Sequence, residues 1–190
     1  KGYLAHRKAP APLENLFVNF ETKLPSMNMD SLSIRMDSLF FNVGKDYVST
    51  IIKVKGYDTP YLFADMDANI DLEKWERSLG LPDWDAKGRL DFHLHGEGIY
   101  KTEEIPTGAR TTETKIISIP AFNLNSSLKN GYIKYSKASL AIESASFKAE
   151  ASSKGHVEDL KLSLTDLKLT SGKNKIDGYF KMLDFPSLAV

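Results

Sequence analysis

The feature that most constrains this chain is an internal repeat: much of segment 30–62 recurs, in order, in segment 158–188. At a constant spacing of 128 residues, seven positions of the first copy meet a residue of the same or a similar kind in the second. The matched residues are Leu32, Ile34, Met36, Leu39, Phe41, Gly44 and Lys45, which fall on Leu160, Leu162, Leu164, Leu167, Leu169, Gly172 and Lys173. A long constant spacing is typical of a repeat architecture, so the two copies are expected to share one local structure.

The first copy alternates apolar and polar residues, which is the pattern of a β-strand with one apolar face. Apolar residues occupy every second position from Leu32 to Met36, and the alternation restarts three residues later. A two-residue hairpin turn at Asp37-Ser38, and at the equivalent Thr165-Asp166, would leave all these apolar side chains on one side of the ribbon. A third strand follows the next glycine turn in each copy. Each copy is therefore predicted to be a three-stranded antiparallel meander.

One short helix interrupts the strands at 72–79. Asp71 is a favourable N-cap residue, and Gly80 follows the last helical position. Leu72, Trp75 and Leu79 share one helix face, so the helix is expected to lie on the apolar side of the sheet. The predicted fold class is mainly β: a twisted, curved antiparallel sheet of repeated meanders, either an open β-groove or a closed sandwich, with this one helix.

The chain is expected to contain one domain. Segment 1–13 includes an Ala-Pro-Ala-Pro pattern typical of a linker or arm. Segment 14–190 is predicted to be a single β-rich domain that contains both repeat copies and belongs to a longer chain. Segment 102–112 is predicted to be a polar loop, and Asn130-Gly131 a turn between two of the short strands that follow it.

Composition excludes several functions. Lys plus Arg and Asp plus Glu number 25 each, so the net charge of zero gives no basic surface for nucleic acid. There is no cysteine, which excludes disulfides and cysteine metal sites. No nucleophile motif or phosphate-binding loop occurs, and the chain is predicted not to be an enzyme and to need no cofactor.

Two acidic or histidine-rich patterns could suggest metal sites. Residues 65–76 resemble an EF-hand calcium loop, but Ile70 stands where a sharp turn requires glycine, and the preceding residues alternate as a strand. His93 and His95 share a strand face with two carboxylates, which could bind zinc only with a third ligand from elsewhere. Alternation alone places polar residues there, so no metal site is predicted.

A further set of motifs resembles the AsmA-like and TamB-like class of bacterial cell-envelope proteins. The resemblance lies in the strand ending at 56–62, in the short helix opened by 69–72 and closed by 79–82, in the glycine-punctuated strand 88–98, and in 130–135. It implies a periplasmic β-groove in a parent protein anchored in the inner membrane. Such a groove is expected to hold or conduct phospholipid and to support outer-membrane assembly.

The apolar stripes of the strands supply the candidate lipid-binding residues. These are Ile34, Met36, Leu39, Phe41, Ile52, Leu90, Phe92, Leu162, Leu164, Leu167, Leu169 and Phe180. The same stripes would form the core of a closed sandwich, so the alternative function is a structural or ligand-binding β-sandwich module of a surface or secreted protein. Phospholipid or another acyl lipid is the expected partner. Unpaired edge strands are also expected to favour self-association.

Overall fold

The computed structural model describes residues 2–4, 12–108 and 111–183. It is mainly β, with 71% of the described residues in strands, and one large antiparallel sheet dominates it. The predicted fold class is confirmed at this level, including the single short helix. Among the described residues, no helix has the length and apolar character needed to cross a membrane.

The described residues form twelve strands, one α-helix and two short 3-10 turns. The strands are β1 (Gly2–Leu4), β2 (Leu13–Lys23), β3 (Ser33–Val43), β4 (Asp46–Lys55), β5 (Tyr61–Asp71), β6 (Trp84–Ile99), β7 (Lys101–Pro106), β8 (Thr112–Ser118), β9 (Ala121–Tyr135), β10 (Ala141–Ser153), β11 (Lys161–Ser171) and β12 (Asn174–Met182). The helix is α1 (Leu72–Leu79), and the 3-10 turns are Met29–Ser31 and Val157–Asp159.

The strands of the large sheet follow one another in chain order. Its order is β1-β2-β3-β4-β5-β6-β9-β10-β11-β12, and every pair of neighbours is antiparallel. β7 and β8 leave this order and pair only with each other. The sheet is therefore one long meander with a separate hairpin between β6 and β9.

The repeat is present in the structure at the spacing seen in the sequence. β3 and β11 begin and end 128 residues apart, and so do the two 3-10 turns that precede them. β4 and β12 also begin 128 residues apart. The tight turns between these strands use Gly44 and Gly172, whose φ values are +61° and +57°. Glycine adopts this left-handed conformation without steric cost, which explains its place in both copies.

The predicted hairpin turns at Asp37-Ser38 and Thr165-Asp166 are wrong. β3 and β11 each run straight through these residues, and the register shifts there because two residues on this strand face one on its neighbour. Two-residue hairpin turns need positive φ, which only Asp166 has among these four residues. Each copy therefore contributes two strands with a β-bulge. Beyond a bulge with one extra residue, the apolar side chains point again to the side they faced before it. In the sequence, a bulge and a two-residue turn therefore give the same spacing of apolar residues.

Three other local predictions change. Asn130 and Gly131 lie inside the long strand β9, where Asn130 has a φ of +52° and marks another bulge. The predicted loop 102–112 contains most of β7. Within the predicted arm 1–13, the strand β1 pairs with β2, and Leu13 is buried. Segment 5–11 lies outside the described residues.

Helix α1 has the predicted caps. The Asp71 carboxylate accepts a hydrogen bond from the Lys74 amide at 3.4 Å, and Gly80 adopts a left-handed C-cap. Trp75 is 7% exposed and packs on Phe41, with ring centroids 5.2 Å apart. The helix therefore docks on the apolar side of the sheet, as predicted. Leu79 does not take part, since nearly half of it is exposed.

We expect Trp75→Ala to lower the free energy of unfolding by about 3–5 kcal/mol, because truncation leaves a cavity beside Phe41. Urea unfolding followed by circular dichroism measures this loss. Trp84→Ala is the matched control, since Trp84 is 45% exposed and should lose only about 1 kcal/mol or less. Equal losses for the two variants would contradict the docking of α1.

Candidate functional site

The strand register places one row of small and apolar residues on a single side of the sheet. Residues that face each other across paired strands point to the same side. Reading across the sheet from β3 to β12, this row is Phe41, Val48, Ala68, Phe92, Ser126, Ala149, Leu164 and Phe180. We call this side of the large sheet the apolar face.

All twelve residues that the sequence singled out lie on the apolar face. They occupy β3, β4, β6, β11 and β12, in the row itself or an even number of residues along the strand from it once the bulge residues are discounted. The bulges in β3 and β11 are essential here, because without the extra residue Leu39 and Leu167 would point to the opposite side.

The residues predicted from the sequence do not include the middle of the apolar face, on β9 and β10. Phe122, Leu124, Leu128 and Phe147 lie there, on the same side as Leu94 and Leu164. They are separated by small residues that weaken the alternation, namely Ser126, Ala149 and Ala151. A search for period-two alternation that counts alanine and serine as residues of the apolar face would have found them.

The apolar face has no second sheet over it in the described part of the chain. The strands of the large sheet contact their lateral neighbours, α1 also packs on β3, β5 and β6, and the 3-10 turn Val157–Asp159 contacts β8 and β10. Most residues of the face are consequently half-buried. At its two margins, Phe20 is 61% exposed and Phe180 is 53% exposed. The face is a lined surface open to solvent, unlike the interior of a sandwich.

The sheet curls toward the apolar face near its centre. A Cβ atom placed on Gly96 would lie 2.7 Å from the Cβ of its cross-strand partner Phe122. One placed on Gly131 would lie 3.1 Å from the Cβ of Ala145. Paired Cβ atoms on a flat sheet are about 4.5–5.5 Å apart, so side chains on this side converge. The apolar face is therefore the concave one, and glycine permits the tight approach.

An ion cluster holds α1 over one corner of the apolar face. Asp46, at the start of β4, is 1% exposed, and its carboxylate lies 3.2 Å from the Lys74 Nζ and 3.3 Å from an Arg89 guanidinium nitrogen. The hydrogen bond to Asp46, with a further one to Asp71, raises the pKa of the Lys74 ammonium. The second copy has an exposed Asn174 in place of Asp46. The corner is covered in the first copy, and its equivalent lacks this anchor in the second.

The opposite side of the sheet is polar and carries the two histidines. His93 Nδ1 lies 3.1 Å from the Asp67 carboxylate, and His95 Nδ1 lies 3.0 Å from that of Asp65. Both pairs join β5 to β6, so residues 61–71 form a strand where a calcium loop would need a turn. The described part of the chain brings no three His, Asp or Glu side chains into a group that could hold a metal ion.

Comparison of the whole chain with family models, curated proteins and solved structures finds no match. The resemblance to the AsmA-like and TamB-like class therefore stays a prediction that rests on its sequence motifs. The site itself is defined by geometry: a concave apolar face, open along most of its length, and a polar outer face linked by cross-strand pairs.

The outer face gives a test by titration. The Tyr47 hydroxyl donates a 2.7 Å hydrogen bond to Asp67, and this bond raises the pKa of Tyr47 above its ordinary value. A raised pKa means that the bond stabilises the fold at neutral pH, and that its contribution is lost as pH rises through the folded-state pKa. We expect Asp67→Asn to lower the Tyr47 pKa, measured by ultraviolet or NMR titration. Asp65→Asn is the control and should leave it unchanged; an equal effect of both variants would contradict the assignment.

Proposed function

We propose that this chain is a non-catalytic module whose concave apolar face holds or conducts the acyl chains of phospholipid or a similar lipid. The observation that carries the proposal is the continuity of the apolar face: its row of small and apolar residues crosses from β3 to β12 without a charged side chain. A monomeric soluble protein rarely exposes an apolar surface of this extent unless the surface binds something apolar.

The energetics favour such a role without any bond being broken. A phospholipid exposes on the order of 30 methylenes in water, at about 0.8 kcal/mol each, a gross cost near 24 kcal/mol. A curved floor of leucine, phenylalanine and methionine side chains would remove much of that surface from water. Small floor residues such as Ala68 and Ala149 leave room for an extended chain between larger neighbours. The headgroup would remain in solvent on the open side.

The proposed setting is the periplasm or cell envelope, in a parent chain anchored in the inner membrane, with a role in outer-membrane assembly. Support for this setting comes from the motif resemblance to AsmA-like and TamB-like proteins. The curled single-layer sheet is compatible with the β-groove that this resemblance implies.

Lipid retention tests the proposal directly. We expect the purified chain to retain fluorescent phospholipid and to carry lipid detectable by native mass spectrometry. Leu124→Asp and Leu164→Asp place a charge in the floor of the apolar face, and each should weaken retention by about tenfold or more, because burying an unpaired carboxylate is costly.

Each floor variant has a matched control next to it on the same strand. Asn125→Asp and Ser163→Asp add the same charge to the polar face and should leave retention unchanged. Circular dichroism and a cooperative melt must show that all four variants are folded. A folded, lipid-free chain that ignores phospholipid vesicles, or floor variants that retain lipid like the wild type, would contradict the proposal and favour the structural or ligand-binding module.

A further inference from the structure

Like most of the apolar face, the outer edge of β12 has no neighbour among the residues that the structure describes. Among the described residues, β12 pairs only with β11. Its side chains are correspondingly exposed: Tyr179 by 81%, Ile176 by 55% and Phe180 by 53%. The opposite end of the sheet differs, because there the short strand β1 pairs with part of β2.

The repeat shows that an edge of this kind can pair with an antiparallel strand. β12 is the equivalent of β4, and the corresponding edge of β4 is filled by an antiparallel strand, β5, from Tyr47 opposite Asn69 to Lys55 opposite Tyr61. An unpaired edge presents backbone donors and acceptors that can pair with another extended chain. The edge of β12 therefore has the geometry of an antiparallel acceptor.

We propose that this edge pairs antiparallel with β12 of a second copy of the chain. The pairing is centred on Tyr179, which means that Tyr179 of one copy lies directly opposite Tyr179 of the other. In this register Asp177 lies opposite Lys181 of the second copy, and the two-fold symmetry makes that pair twice. Gly178 lies opposite Phe180, and Ile176 lies opposite Met182. All four of these residues belong to the apolar face. Opposite charges and an aromatic ring facing glycine are favourable cross-strand pairs.

The alternative registers are less favourable. A symmetric antiparallel pairing that keeps the apolar faces together must be centred on a residue. Centring on Gly178 sets Lys175 opposite Lys181, and centring on Asp177 sets the two Asp177 side chains against each other. Centring on Ile176 or Phe180 overlaps only five residues within the strand bounds Asn174–Met182. Like charges placed directly opposite are destabilising, so charge selects the register centred on Tyr179.

The pairing has a structural consequence. A two-fold axis perpendicular to the sheet leaves the apolar faces of both copies on the same side. The apolar face of one copy then continues into that of the other, and Ile176 and Phe180 gain neighbours. The inference does not require lipid binding, since it follows from the backbone edge and the charges of β12.

Charge reversal tests the register in the lipid-free 190-residue chain. We expect sedimentation velocity to show a monomer–dimer equilibrium that shifts to dimer as concentration rises. Asp177→Lys sets Lys against Lys181 twice, and Lys181→Asp sets Asp against Asp177 twice. Each should raise the dimer dissociation constant by about tenfold or more. An equimolar mixture of the two variants pairs opposite charges again and should dimerise, as should the double variant Asp177→Lys/Lys181→Asp.

The control is Lys161→Asp, an equal charge change on an exposed residue of β11, away from the edge, which should leave dimerisation unchanged. All of these positions are exposed, and circular dichroism checks that the variants are folded. A chain that stays monomeric at about 1 mM, a mixture that stays monomeric, or single variants that dimerise like the wild type would each overturn the pairing. A monomeric chain that retains lipid would overturn this inference alone.

Discussion

The structure depends on keeping every apolar side chain of a long meander on one side of the sheet. Side chains alternate along a strand, so a slip of one residue would turn an entire apolar stripe to the polar face. At Asp37-Ser38 in β3 and Thr165-Asp166 in β11, two residues face one residue of the neighbouring strand. This bulge keeps the apolar side chains before and after it on the same side of the sheet. The bulges also increase local twist and bending, so they help to form the groove whose lining they preserve.

A single-layer sheet must find stability without a second layer. Ladder hydrogen bonds and the contacts of half-buried neighbours supply most of it here, and fully buried apolar residues are few. The exception is the corner beneath α1, where Trp75 packs with Leu13 and Val43, and Asp46 holds Lys74 and Arg89. A buried carboxylate needs such partners, because burying it without them would be costly. The helix thus closes one corner and leaves the rest of the concave face open.

The sequence specified those features that arise from local spacing. The apolar stripes of β3 and β11, the helix at 72–79 with its caps and the glycine turns follow from residues close together in the chain. The repeat is visible directly as a constant spacing between two segments. Turns could not be distinguished from bulges, since both restore the same face after Asp37-Ser38. The central floor around Ser126 was missed because small residues weaken the periodic signal. The contact of Asp46 with Arg89 joins distant segments and depends on register, which local patterns do not encode.

The two copies of the repeat have different surroundings in the structure. In the first copy, Asp46 anchors the helix, and β5 completes the edge of β4. In the second, Asn174 cannot provide the same charge, and β12 ends the described sheet with exposed aromatic and aliphatic side chains. An open apolar edge normally invites unspecific pairing, and charged residues on edge strands oppose it. Asp177 and Lys181 have opposite signs four residues apart, so on β12 the same charges can select one pairing among several. In the proposed pairing, specificity depends on side-chain charge, while the backbone edge supplies the attraction.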